Sequence, residues 1–143
     1  NQIGSINPIP TTNVKDVPAA IDKLLASYNC IDSVSLENIA AFHSEFEKIH
    51  PFQDGNGRTG RAIMFRECIR NGIMPFVVYD IYRKPYESGL NEWRKGNKQQ
   101  LLETLNACQE VFNQNYRYFI GIENTLITPT YTERQFNDKN RNV

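Results

Sequence analysis

The sequence predicts an all-α protein, because its apolar residues recur at helical spacing along most of the chain. Successive stretches carry apolar side chains three or four positions apart, and prolines, glycines or capping residues bound them. The chain has 143 residues, which suffices for one compact domain with its own core. We divide it into an N-terminal arm (1–13), a helical domain (14–120) and a polar C-terminal tail (121–143).

The first two helices are predicted from their start signals and apolar faces. Pro18 suits the first position of a helix. The predicted core face of this helix consists of Ile21, Leu24, Leu25 and Tyr28. Ser35 is a favourable N-cap for the second helix. Its predicted core face consists of Leu36, Ile39, Phe42, Phe46 and Ile49. Pro51 disfavours helical angles at His50, so the second helix should end there.

The remaining helices follow from the same signals. A third helix should begin near Asn56 or Gly57 and run to about Asn71, with Gly72 as its C-terminal glycine. Its predicted core face consists of Ala62, Phe65 and Ile69, with Cys68 nearby. The segment 73–84 (IMPFVVYDIYRK) is compatible with a strand or a helix, and Pro85 can open a further short helix. A long last helix should bury Leu101, Leu105, Cys108, Phe112 and Tyr116.

Charge and cysteine content bear on compartment and partners. Sixteen basic and sixteen acidic residues balance, so the chain lacks the overall positive charge of a general nucleic-acid binder. Three cysteines, far apart and odd in number, argue against a disulfide framework or a zinc ribbon. We find neither an apolar run long enough to span a membrane nor a signal peptide. These features predict a cytoplasmic protein without membrane or nucleic-acid partners; a secreted effector is the alternative.

The most informative segment is 49–61 (IHPFQDGNGRTGR), which places a glycine-rich loop directly before a helix. The first turn of a helix leaves backbone N–H groups unpaired and carries the positive end of the helix dipole, which favours bound anions. Gly55 and Gly57 allow backbone turns that aim several N–H groups at one point, and Asn56 adds an amide donor. We therefore expect a phosphate-binding loop, although a plain interhelical turn would have a similar composition.

Charged side chains around this loop extend the prediction. Arg58 and Arg61 are three residues apart and share a helix face, which suits a polyphosphate. Asp54 is placed to hold Mg²⁺ beside bound phosphates. His50 should face the same cavity, where its imidazole would accept a proton from a hydroxyl. Such parts suit phosphoryl or nucleotidyl transfer, a chemistry of positioning and charge stabilisation. Phe52, in contrast, should point into the core.

The residues His50 to Arg61 resemble the signature of the Fic family, HPFx(D/E)GNGRxxR, at every fixed position. The segment RKPYESGL (83–90) resembles a second family segment, RxxYxxAL, and the likeness extends over roughly residues 8–120. The resemblance implies a helical bundle with a small β-hairpin flap, with residues 14–120 as the Fic domain. Residues 1–13 would then be the end of the flap, or else a loosely ordered arm.

The resemblance implies a protein adenylyltransferase, which moves AMP from ATP to a Ser, Thr or Tyr hydroxyl of a target protein, or of itself, and releases pyrophosphate. His50 would be the general base and Asp54 the Mg²⁺ ligand. The nucleotide-binding residues would be Gly55, Asn56, Gly57, Arg58, Arg61 and Tyr86. In this set Tyr86 would lie near the adenine, although a packed aromatic is the alternative. The target protein would dock at the flap.

Two alternatives to this activity remain at the level of sequence. The chain could be a non-catalytic nucleotide-sensing module, although such a module has no need of His50, or a de-AMPylating enzyme. Some family members carry an inhibitory glutamate in an (S/T)xxxE(G/N) segment. The match around Glu37 lies at the start of the second helix, and we interpret Glu37 as a residue that favours the helix dipole. We interpret His43 as a surface or hydrogen-bonded histidine.

Overall fold

The computed structural model describes residues 11–120, and this part of the chain is helical. It comprises five α-helices, α1 (Val17–Asn29), α2 (Leu36–Ile49), α3 (Asn56–Arg70), α4 (Arg83–Arg94) and α5 (Gln99–Ile120). Short 3₁₀ turns at Val14–Asp16 and Asp80–Tyr82 precede α1 and α4. Residues 11–120 contain no β-strand, which confirms the predicted helical class. The predicted flap and C-terminal tail fall mainly on residues 1–10 and 121–143, outside the described residues, and the domain boundaries remain a prediction.

The ends of α2 and α3 form as their sequences predict. The Ser35 hydroxyl accepts from the Asn38 backbone N–H at 3.2 Å, and the Asn38 side chain accepts from the Ser35 N–H at 2.9 Å, so α2 starts with a capping box. His50 leaves the helix in the left-handed conformation, with φ of 54°. Gly55 precedes α3 with φ of 82°, where glycine avoids the clash of a Cβ. The two helices are thus joined by a short loop with fixed ends.

The main core lies where α2 and α3 meet the pair α4 and α5. Its most deeply buried apolar side chains are Ile39, Ala40, Met64, Cys68, Leu101, Leu105 and Cys108. A second cluster joins α1 to α2 through Tyr28, Phe42 and Phe46, with the Tyr28 and Phe42 rings in edge-on contact at 4.9 Å. The predicted apolar face of α2 is therefore confirmed. Helix α2 lies between both clusters, so its C-terminal end is held from two sides.

The predicted core face of α3 was wrong at two of its three positions. Ala62 is exposed and Ile69 is 58% exposed. Phe65 is half-buried against Phe112, and Gly60, Met64 and Cys68 face the core. Apolar residues occur on every side of this helix, so their positions could not single out one face. The small Gly60, four residues before Met64, instead permits a close approach to α2.

Three smaller expectations also need correction. Phe52 is 48% exposed, and its ring lies against the Phe46 ring at a centroid distance of 6.3 Å instead of entering the core. Leu25 and Tyr116 are likewise 43% and 46% exposed. Residues 73–79 form neither strand nor helix but a segment without regular structure, with Met74 and Phe76 buried. Side-chain burial, not regular backbone pairing, holds that segment in place.

Candidate active site

His50 lies at the junction between α2 and the glycine loop, with its side chain exposed. Its backbone N–H donates to the carbonyl of Phe46 at 3.0 Å, which closes the last turn of α2. The left-handed backbone at His50 turns the chain away from the helix axis, and Pro51 follows it. The fold therefore presents this imidazole on the surface, where an incoming hydroxyl could reach it.

The loop between His50 and α3 is held by the side chain of Asn56. This amide accepts from the backbone N–H of Phe52 at 2.9 Å and donates to the carbonyl of Phe52 at 2.6 Å. Asn56 is only 3% exposed. Both polar groups of the side chain thus bind the loop, although a primary amide has a second N–H besides the one used here. The expected contribution of Asn56 to nucleotide binding remains a prediction.

The start of α3 offers free backbone donors beside two charged side chains. Gly55 precedes the helix and has no side chain that could cap it, so the first-turn amides keep their donor capacity. One oxygen of Asp54 accepts from the Gly55 N–H at 2.7 Å. The other oxygen lies 3.2 Å from the guanidinium of Arg58, and both side chains are largely exposed. This exposed ion pair contributes little to stability and is open to exchange with a ligand.

Each arginine of the motif lies against one glycine. A Cβ placed on Gly55 would be 3.5 Å from Nη2 of Arg58, and a Cβ on Gly57 would be 3.0 Å from Nη1 of Arg61. Because the guanidinium of Arg61 folds back over Gly57, it reaches toward the loop instead of extending along α3. The absence of side chains at the two glycines therefore lets both cations approach the same helix start.

A second group of polar residues lies behind the loop, where α2, α3 and α4 meet. His43 is 1% exposed, and its Nε2 is hydrogen-bonded to the hydroxyl of Tyr86. Burial, with the positive charges of Arg61 and Arg94, lowers the pKa of His43 to about 3. His43 is therefore a neutral, hydrogen-bonded histidine near pH 7, which confirms one of the two interpretations given to it.

The same geometry changes the interpretation of Tyr86. Its side chain is 4% exposed and belongs to the main core, so it is packed rather than displayed beside an open cleft. Burial raises its pKa, while the nearby positive charge of Arg61 acts in the opposite direction. The packing supports the alternative reading, a core aromatic, over a position near adenine.

Glu47 and Arg94 complete this polar group and were not singled out by sequence. Glu47 Oε1, Arg94 Nε and His43 Nδ1 are buried, and none has a hydrogen-bond partner among the described residues. Burial raises the pKa of the Glu47 carboxyl, although the basic groups of His50, Arg94 and Arg61 oppose this rise. The carboxyl group of Glu47 on α2 therefore interacts electrostatically with Arg94 on α4, behind the loop.

Gly60 is a feature of the sequence that could have indicated the position of His43. Glycine inside a helix is less favourable than alanine by about 1 kcal/mol, so its presence indicates a packing requirement. A Cβ at Gly60 would lie 2.5 Å from Nδ1 and 2.6 Å from Cε1 of His43. Only glycine leaves room for this imidazole between α2 and α3. Helical spacing alone did not reveal that requirement.

An apolar cleft of about 320 Å³ opens beside Arg61. Its walls are formed by Arg61, Ala62, Phe65, Phe76, Val77 and Val78. Tyr86 is not among them. The cleft therefore shares only Arg61 with the motif, and it provides a hydrophobic surface next to that residue. Among residues 11–120, none of the helices has the length and the apolar composition that a transmembrane span requires.

Comparison with known proteins shows which family shares this motif. The sequence profile of the Fic/DOC family matches residues 9–68, which include the whole loop. A probable protein adenylyltransferase from Aquifex aeolicus is 36% identical over 90 residues, 63% of this chain and 27% of that protein. This chain belongs to the Fic/DOC family. The predicted family resemblance is therefore confirmed.

Two further relatives are also named protein adenylyltransferases. A protein adenylyltransferase Fic from Nematostella vectensis is 33% identical over 75 residues, 52% of this chain and 18% of that protein. The protein adenylyltransferase fic-1 of Caenorhabditis elegans is 25% identical over 114 residues, 80% of this chain and 22% of that protein. The chain thus spans about a quarter or less of the length of these Fic relatives.

Proposed function

We propose that this Fic domain is a protein adenylyltransferase, which transfers AMP from ATP to a hydroxyl side chain of a target protein. The observation that carries the proposal is the arrangement of residues 50–61. An exposed histidine ends one helix, and the next helix begins with free amides over which two arginines fold. The relatives named protein adenylyltransferase support the same activity.

In the proposed reaction, His50 accepts the proton of the target hydroxyl as its oxygen attacks the α-phosphorus of ATP. A new oxygen–phosphorus bond forms, the bond between the α-phosphorus and the oxygen leading to the β-phosphate breaks, and pyrophosphate leaves. The backbone amides at Gly55, Asn56 and Gly57 would bind the α- and β-phosphates. Arg58 and Arg61 would stabilise the charge on the β- and γ-phosphates.

The residues present fit a Mg²⁺ ion held jointly with the nucleotide. Asp54 offers exposed carboxylate oxygens, the kind of ligand that Mg²⁺ prefers. No group of three potential metal ligands occurs in the described part of the chain, so phosphate oxygens and waters would supply the other ligands. When bound, the ion would neutralise negative charge on the phosphates. Asp54 would exchange its pairing with Arg58 for the ion and free that arginine for phosphate.

The target is proposed to dock its main chain beside the loop, at the flap expected from residues 1–13. This part of the proposal rests on family likeness, and residues 1–10 lie outside the described structure. Support for this docking place comes from Thr12, whose backbone N–H donates to the carbonyl of Lys48 at 3.4 Å, two residues before His50. A target segment bound along this arm would thus approach His50.

Label transfer tests the proposal. The 143-residue protein is incubated with Mg²⁺ and either α-labelled or γ-labelled ATP, alone and with candidate targets. We expect protein-bound label only from α-labelled ATP, lost in His50→Ala and retained in Lys48→Ala, a control at another exposed position of α2. Equal transfer by wild type and His50→Ala would disprove the role of His50. Label from γ-labelled ATP would indicate phosphorylation, and ATP binding without transfer under any condition would favour a nucleotide sensor.

A further inference from the structure

The side chain of Asn56 has a role in this site besides the expected contact with the nucleotide. We infer that Asn56 is a positioning residue, whose amide clamps the backbone at Phe52 and thereby sets the directions of His50 and Asp54. The inference rests on the proposed function, because it concerns how the same site aligns its proposed base and its proposed metal ligand. Asn56 acts here through the loop that joins α2 to α3.

The backbone of the loop between α2 and α3 has few other restraints. It turns in the left-handed region at both ends, with φ of 54° at His50 and 82° at Gly55. Among residues 11–120, the backbone of positions 51–53 makes no hydrogen bonds other than the two with the Asn56 side chain. The conformation of the loop therefore depends on this one amide and not on regular secondary structure.

The two bonds form a clamp because they hold one residue by both of its backbone polar groups. The Phe52 N–H donates to the side-chain oxygen of Asn56 at 2.9 Å, and the Asn56 amide donates to the Phe52 carbonyl at 2.6 Å. A carboxamide carries the donor and the acceptor that this pairing needs, whereas a carboxylate carries acceptors only. Asn56 is 3% exposed, so water has little access to replace these bonds. The Phe52 ring also lies against the Phe46 ring of α2, which restrains the same residue further.

The clamped residue lies midway between the two proposed chemical groups. Phe52 follows His50 by two positions and precedes Asp54 by two. Both of these side chains are exposed, that of Asp54 to 91%, so packing does little to fix them. Their directions are therefore set mainly by the backbone that carries them. Since a displacement of about 1 Å in a reacting group can cost about a hundredfold in rate, an anchor at this point bears directly on transfer.

Nucleotide binding should depend on the clamp much less than transfer does. The proposed phosphate donors are the amides of the first turn of α3 and the guanidinium groups of Arg58 and Arg61. They belong to α3, which its own hydrogen bonds and its packing in the core hold in place. Loss of the clamp should therefore lower the kcat of AMP transfer roughly ten- to a hundredfold and change the KM for ATP by less than about threefold.

Asn71, at the other end of α3, provides a matched control for Asn56. Its amide also donates to a backbone carbonyl four residues earlier, that of Glu67, at 2.8 Å. Asn56→Leu keeps a side chain of similar shape and removes both bonds of the clamp, and Asn56→Ala serves if the leucine variant does not fold. Asn71→Leu removes a bond of the same kind from the same helix without touching the loop. We expect Asn71→Leu to retain the kcat and the KM of wild type.

Amide hydrogen exchange of the nucleotide-free proteins, followed by NMR, measures the clamp directly. The N–H of Phe52 should exchange roughly tenfold faster in both Asn56 variants than in wild type, because its acceptor is gone. In Asn71→Leu it should exchange at the wild-type rate. The stoichiometry of ATP binding in calorimetry, with Mg²⁺ present, gives the folded and competent fraction of each protein. Expressing kcat per competent protein separates a positioning defect from partial unfolding.

The results separate failure of this inference from failure of the proposed function. The inference is overturned if Phe52 exchanges at the wild-type rate in the Asn56 variants, or if it exchanges faster while kcat per competent protein is unchanged. It is also overturned if these variants weaken ATP binding about tenfold or more at an unchanged kcat, because Asn56 would then act on the nucleotide alone. An equal fall of kcat in Asn71→Leu would remove the special place of the loop and overturn it as well. In all these cases wild type still transfers AMP, whereas a wild-type protein that transfers none contradicts the proposed function itself.

Discussion

The two histidines of the described chain lie seven residues apart, His43 inside α2 and His50 at the C-terminal cap of that helix, and yet have opposite surroundings. His43 is 1% exposed, is hydrogen-bonded to Tyr86 and is confined between α2 and α3. His50 is exposed and sits at the left-handed end of α2, where the backbone leaves the helix. Two turns of helix would place both side chains in similar directions, so the difference comes from what covers each position.

The contrast separates two tasks that one residue type can perform. Burial holds His43 in one charge state, which suits a fixed hydrogen-bond acceptor and excludes proton transfer near pH 7. Exposure leaves His50 open to a substrate, which suits a proposed general base. The glycine at position 60 makes the first environment, and the proline at position 51 helps to make the second. A histidine's role here is thus set by its neighbours on other elements.

The largest expected effect in this comparison is on stability in acid. The pKa of His43 falls from its ordinary 6.5 to about 3 on folding. Between those values the unfolded chain binds the extra proton, so this contribution is complete above pH 6.5 and is lost as the pH falls. The loss amounts to about 3 kcal/mol at pH 4.5. His43→Gln should therefore show a much shallower decline in unfolding free energy between pH 6.5 and 4.5 than wild type.

Urea unfolding at several pH values provides this measurement. Glu47 contributes with the opposite sign, because burial raises its pKa and the folded state then gains stability on protonation in acid. Since Glu47 is present in both proteins, the difference between wild type and His43→Gln isolates the histidine. Tyr28→Phe, which also perturbs a buried group, should retain the slope of wild type. Parallel curves for wild type and His43→Gln would show that His43 is not held neutral by burial.

A smaller effect is expected from the glycine that makes room for His43. In Gly60→Ala the new Cβ would lie 2.5 Å from Nδ1, and the ring cannot move freely because Tyr86 holds it. We expect a loss of about 1–3 kcal/mol in the free energy of unfolding, as for other overpacked cores. In a His43→Ala background the same change should be neutral or stabilising by up to about 1 kcal/mol, through helix propensity.

Denaturation of the two single variants and the double variant tests this coupling. Addition of the separate effects would mean that Gly60 and His43 do not constrain each other. Stabilisation by Gly60→Ala in the wild-type background would contradict the close approach of α2 and α3. Either result would also weaken the argument that His43 is confined.

The parts of the fold that the sequence predicted are those governed by local chemistry. The cap at Ser35, the turn at His50 before Pro51 and the glycine at Gly72 all depend on neighbouring residues, and each forms as expected. The prediction of the core face of α3 failed at Ala62 and Ile69, because apolar residues of this helix lie on all of its sides. Only tertiary packing selects Gly60, Met64 and Cys68 as the buried residues. Tertiary contacts, and not the periodicity of apolar residues, determine which face of α3 is buried.

The candidate site likewise has a part that the sequence predicted and a part that it did not. The start of α3, its glycines and its arginines could be placed together from spacing alone, since they occupy one continuous segment. The group formed by His43, Glu47, Tyr86 and Arg94 joins two separate helices, and nothing in their spacing predicts that α4 packs behind the loop. Tyr86 was accordingly placed near the adenine, and its packing supports a different position. The two hydrogen bonds between the Asn56 side chain and the backbone of Phe52 are a further contact that spacing did not predict.

The smallest effect expected in this comparison concerns the stability of His50 variants. A side chain in the left-handed region costs about 1–2 kcal/mol, and glycine avoids this penalty but adds entropy to the unfolded chain. His50→Gly should therefore be as stable as wild type or more stable by up to about 1 kcal/mol, and more stable than His50→Ala. Both variants should lack AMP transfer, since neither has an imidazole. Urea midpoints beside label transfer would show whether stability and activity are separable at His50, and a destabilised His50→Gly would mean that the exposed imidazole makes contacts which the fold needs.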